Sequence, residues 1–119
     1  MRWFLVPITI ACLPAPVGCH SPYVVATVSN HTAQRIDLVE VDYPSASFGI
    51  QALAPGSDFH YRFKVLGSGD MKLIYTDDAH QSHSVNGPFL KEGAEGALGI
   101  TITSAGVSWL PGSGLATGR

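Results

Sequence analysis

The densest run of side chains able to do chemistry is Asp77-Asp78-Ala79-His80-Gln81-Ser82-His83. Two imidazoles three residues apart, with carboxylates just ahead, are acceptable ligands for a divalent metal, and Asp78, His80 and His83 form the candidate set. In an extended strand, side chains at i and i+3 point to opposite faces. Only a turn at Ala79 to Gln81 would fold His80 back toward His83. The same run is also what a solvated turn looks like, because Asp favours turns through hydrogen bonds to nearby backbone. The spacing carries no specific ligand signature, so the metal site stands as the alternative to a plain turn.

His60, Arg62 and Lys64 alternate with Phe59, Tyr61 and Phe63, which puts three cationic or titratable groups on one side of a strand. Such a ridge could meet an anionic head group or an acidic partner; it is equally what a solvated outer face with edge-protecting cations looks like. Other constellations are weaker. Gly67-Ser68-Gly69 and Gly112-Ser113-Gly114 are turn and tail sequences without the nucleophile elbow of a hydrolase. Glu40 and Asp42 share one side of a strand about 7 Å apart, with no sign of a protected acid, and no glycine cluster precedes a helix that could cradle phosphate. The expectation is therefore a protein with no catalytic residues and no cofactor.

Charge and composition narrow the partners. The net charge is −2, charged residues are 13% of the chain, and lysines and arginines never cluster. A nucleic-acid backbone needs the opposite balance, so nucleic-acid binding is not expected. The chain's 119 residues suit one domain.

The first eighteen residues explain part of the low charge. Met1-Arg2 is a minimal positive start, Trp3 to Ala11 is apolar apart from Pro7 and Thr9, and Leu13 to Gly18 is rich in proline and small residues. That is the layout of a secretory signal, and the stretch is too short and too proline-rich for a membrane span of about 20 residues. Pro16-Val17-Gly18-Cys19 resembles the lipobox of bacterial lipoproteins, although Pro16 stands where the family usually has an aliphatic residue. The resemblance implies a signal peptide over 1–18, cleavage before Cys19, lipid attachment at Cys19 and a tether over 19–22. Loss of Cys12 with the leader leaves one cysteine, which cannot close an intrachain disulfide; attachment to lipid would consume it. With His20 rather than aspartate after the cysteine, the resemblance implies an outer-membrane address, facing the periplasm, in a diderm bacterium.

From residue 23 the pattern has period two, and no window of eleven residues keeps helical spacing. Strands are expected over 23–30, 35–43, 48–53, 59–64, 71–76, 82–87, 97–103 and 106–110. The apolar phase in the second changes from Ile36 and Leu38 to Val39, Val41 and Tyr43, so a β-bulge is expected at Leu38-Val39. Ala54-Pro55-Gly56-Ser57 fits a type II turn. The segment Leu53 to Phe63 resembles the leucine-x-proline-glycine turn and following aromatic strand of fibronectin type III and immunoglobulin-like domains. Seven or eight short strands in about 90 residues indicate an all-β, immunoglobulin-like antiparallel sandwich over 23–111, followed by a disordered tail over 112–119. The functional expectation is a non-enzymatic, lipid-anchored cell-envelope protein that serves as a binding or assembly module for another envelope protein. The rival is a periplasmic metal-binding domain using the His/Asp loop.

Overall fold

The computed structural model describes residues 22–112 and Leu115; the leader over 1–18, Cys19 and the start of the tether lie outside the described residues. Eight strands follow in order: β1 (Val24–Asn30), β2 (Ile36–Tyr43), β3 (Ala46–Leu53), β4 (Asp58–Phe63), β5 (Gly69–Asp77), β6 (Ser82–Leu90), β7 (Gly96–Thr103) and β8 (Gly106–Pro111). They form two four-stranded sheets, β4-β1-β7-β8 and β3-β2-β5-β6. The fold is thus the expected all-β sandwich. Its strand order is its own, differing from the ABED and CFG sheets of an immunoglobulin constant domain, and one pair, β1 with β7, is parallel.

Period-two patterning decides which side of each strand is buried. Val24, Ala26 and Val28 of β1 and Leu98, Ile100 and Ile102 of β7 face Val39 and Val41 of β2 and Met71 and Leu73 of β5, all at 1% exposure or less. Each such side chain contributes roughly 1.5–3 kcal/mol relative to being exposed. Two seams close the gaps between the sheets. On one, Tyr43 stacks on Phe63 at 4.1 Å and Phe48 on Tyr61 at 4.3 Å, joining the β2–β3 hairpin to β4. On the other, the Trp109 ring of β8 lies so close to Gly87 of β6 that a Cβ there would come within 2.5 Å of it.

Several boundaries shift from expectation for identifiable reasons. The register irregularity of β2 against β5 falls between Ile36 and Leu38, one step earlier than Leu38-Val39. Its register partner in β3, Ala52, has φ 62, so both strands change phase at the same point. Ile36 and Leu53 therefore stay buried at the end of the pair. β6 continues beyond Gly87 through Pro88 to Leu90, which an edge strand tolerates because its outer N–H groups need no partner. The expected disordered tail is corrected at two positions. Gly112 donates its N–H to the Ala97 carbonyl at 2.7 Å, and Leu115 is 8% exposed and would touch a side chain at Gly96. Leu115 is the one large apolar residue of a glycine-rich segment, and the rest of that segment beyond Gly112 lies outside the described residues.

Candidate functional site

One end of the sandwich gathers the β1–β2 connection, the β5–β6 turn and the β7–β8 turn around a cleft of about 230 Å³. Thr32, Arg35, Tyr75, Asp77, His83 and Ser104 are among its lining residues. The opposite end carries Tyr23, just ahead of β1. Ligand pockets for drug-sized molecules usually run from roughly 300 Å³ upward, and this cleft lies below that range.

The β5–β6 turn is built by Asp77. Its Oδ1 accepts the N–H of Ala79 at 3.0 Å and of Gln81 at 2.9 Å, while His80 N donates to the Asp77 carbonyl at 3.0 Å. His80 adopts φ 64, a left-handed conformation at the tip of the turn. The other carboxylate oxygen of Asp77 accepts a hydrogen bond from His83 Nε2 at 2.9 Å. The hydrogen bond from His83, and then that from Gln81, hold the Asp77 carboxyl below its ordinary pKa of 3.8. His83 also stacks on Tyr75, its direct cross-strand partner, at 4.7 Å and 18°. Burial, with the Asp77 charge adding to it, pushes the Tyr75 hydroxyl upward.

His80 goes elsewhere. Its Nδ1 lies 3.2 Å from Asp37 Oδ2, and Arg35 holds the other oxygen of Asp37 through Nε at 3.0 Å and Nη2 at 2.8 Å. Asp37 sits at the β2 irregularity, which is the kind of feature that re-aims a side chain. The turn thus sends the two histidines to different carboxylates. Asp78, His80 and His83 do not converge, and among the described residues no three His, Cys, Asp or Glu side chains are grouped to hold a metal ion. The metal expectation is corrected on that geometry: the turn at Ala79 to Gln81 forms, yet it presents His80 to Asp37.

An aspartate bonded to an imidazole is also the orienting half of a general-base arrangement. The cleft's threonines, however, serve their own turns: Thr32 Oγ1 donates to Asn30 Oδ1 at 2.7 Å, and Thr103 Oγ1 donates to the Gly106 carbonyl at 3.1 Å. Both threonines fix loops.

A further residue, the last of the strand expected over 23–30, organises this end. Asn30 is fully buried. Its Nδ2 donates to the carbonyls of Gln34 at 2.8 Å and Leu53 at 3.0 Å, and its Oδ1 accepts from Thr32 N at 2.9 Å and Thr32 Oγ1. Its backbone bonds Ser57 O and Gly56 N, so one residue ties the β1–β2 connection to the type II turn between β3 and β4. The signal was present: Asn30 continues the inward phase of Val24, Ala26 and Val28.

The basic ridge is real in arrangement. His60 and Arg62 are exposed on β4 and Lys64 lies one residue past its end. The Arg62 guanidinium sits 4.2 Å from the Tyr23 ring centroid, Lys64 Nζ is 5.7 Å from it, and His60 Nδ1 shares a 2.9 Å hydrogen bond with Thr27 Oγ1.

Comparison with solved structures finds a likeness to an NMR structure of a protein from Eubacterium rectale, with a TM-score of 0.57, covering 85% of this chain and 97% of that one. The likeness is one of fold. Sequence identity is 13%, which carries no function across. No family model matches the chain, and no curated protein matches it.

Proposed function

We propose that the chain is a non-enzymatic, lipid-anchored protein of the cell envelope, attached through Cys19, whose sandwich is a binding or assembly module that accepts a partner's strand along β8. In a diderm cell its address is the outer membrane, facing the periplasm. The observation that carries the reading is the character of the four sheet edges, β4, β8, β3 and β6. Three are blunted. β4 carries Asp58, His60 and Arg62; β6 contains Pro88 and a register shift against β5; β3 is bent by Ala52 at φ 62. β8 is blunted least: it pairs with β7 in unbroken register from Thr103↔Gly106 to Leu98↔Pro111, has no charged residue, and carries its one proline, Pro111, at the last position. An uncharged, regular edge is a template for strand addition, and proteins ordinarily suppress such edges.

The tether reading is supported by where the sandwich begins. β1 is an interior strand that starts at Val24, five residues after Cys19, so an anchor at Cys19 keeps the sandwich close to a bilayer. Metabolic labelling with palmitate tests it: label enters the wild type and not Cys19→Ala. Equal labelling of both removes the anchor.

A further inference from the structure

The geometry points to the tether-proximal half of the outer face of the β4-β1-β7-β8 sheet as a surface that lies against anionic lipid head groups, with Arg62 and Lys64 as its contacts on the β4 flank and Leu110 on the opposite, β8 flank. This rests on the anchor reading at Cys19 and deepens it.

Strand register defines the face. Arg62, Val25 and Ala97 line up across β4, β1 and β7, and the next outward row is His60, Thr27, Gly99 and Leu110. Val25 is 42% exposed and Leu110 63%. The face is thus smooth, with small residues at Ala97 and Gly99 and exposed aliphatics at Val25 and Leu110, and with cations along the β4 flank. Glu95 borders it just ahead of β7.

Two further observations choose lipid as the occupant. The first is the tether: four residue steps from Cys19 to Tyr23 span at most about 14 Å, and Tyr23 lies directly under Arg62. A thioether at Cys19 therefore delivers these cations to the head-group zone. The second is the contrast with the other sheet. Its outer side carries Glu40, Asp42 and Asp70 against one cation, Lys72, the register partner of Asp42, and the Glu40 carboxyl is pushed up by its hydrogen bond to Asp42 and the repulsion between them, with Lys72 opposing the rise. An anionic surface attracts juxtamembrane cations and repels that sheet.

The test uses the full chain, processed in cells and reconstituted into nanodiscs of phosphatidylcholine alone or mixed with phosphatidylglycerol. With Cys12 removed and Cys19 lipidated, an introduced cysteine is the only thiol. Leu110→Cys reports the proposed face, and Lys72→Cys, exposed on the opposite sheet, reports the control. Maleimide should label Leu110→Cys at least about fivefold more slowly when phosphatidylglycerol is present, leave Lys72→Cys unchanged, and regain the phosphatidylcholine rate when Arg62→Gln and Lys64→Gln are added. Rates that respond equally at the two positions overturn the proposal. Protection seen in intact envelopes but absent from phosphatidylglycerol nanodiscs also overturns it, in favour of a protein occupant. Failure of the anchor itself reads out separately, as wild-type protein that takes up maleimide at Cys19 and no palmitate; the two-lipid comparison is then made with added vesicles.

Discussion

Asp77 and His83 close the β5–β6 turn on itself, with His83 Nε2 2.9 Å from Asp77 Oδ2 and the opposite carboxylate oxygen holding the N–H groups of Ala79 and Gln81. One carboxylate thereby fixes both the tip of the hairpin and the imidazole that lines the distal cleft. The pair is six residues apart in sequence, and it converts a run that resembles a ligand set into a structural clasp.

A carboxyl whose folded pKa lies below its ordinary 3.8 stabilises the fold above that value and loses the contribution as pH falls through the folded value. Asp77→Asn should lower the melting temperature near neutral pH, and the gap from wild type should narrow below pH 3.8 and close once both proteins carry a neutral group. Circular dichroism melts across that range check this. A gap that stays constant with pH contradicts the assignment.

Asn30→Ala leaves the carbonyls of Gln34 and Leu53 and the N–H of Thr32 without their side-chain partner. The expected cost is about 2–4 kcal/mol, a fall in melting temperature of roughly 10 °C or more for a domain of this size. Asn30→Asp should not rescue it, because a carboxylate offers no N–H to the two carbonyls. Stability equal to wild type in either variant would remove Asn30 as the clamp between the two connections.

Gly87→Ala drives a methyl group into the Trp109 ring. The ring has to shift in the seam between β6 and β8, at a cost of about 1–3 kcal/mol. The chain has two tryptophans, Trp3 and Trp109, so in a chain begun at residue 19 the emission of Trp109 reports the shift directly. Unchanged emission and unchanged denaturant midpoint would show that the contact is not tight.

Much of this fold was legible in the sequence. Alternation located the eight strands and sorted their faces, and Pro55-Gly56 located the turn whose Ser57 N–H donates to the Ala54 carbonyl, with Gly56 at φ 76. The β2 irregularity was visible as a phase change, but its position was not, because the register partner that shares it, Ala52, gives no local signal. The candidate site was legible only in part. His83 and Asp77 are local and fall within one hairpin. His80 and Asp37 meet only because β2 and β5 are neighbours in a register where Ile36 opposes Asp77, and no short-range pattern encodes that. Asn30 was legible as the end of a strand but not as a clamp. Residue type marked it as a turn former, while its phase marked it as buried, and burial with every polar group satisfied is what the fold selected.

The central claim is that β8 is the working edge. A photocrosslinking residue at Ser108, exposed on β8, compared with the same residue at Ser84, exposed on the blunted β6 edge, tests it in intact envelopes. One reproducible protein adduct should form at Ser108 and be absent at Ser84. No adduct at Ser108, or adducts of equal yield at both positions, would contradict the account.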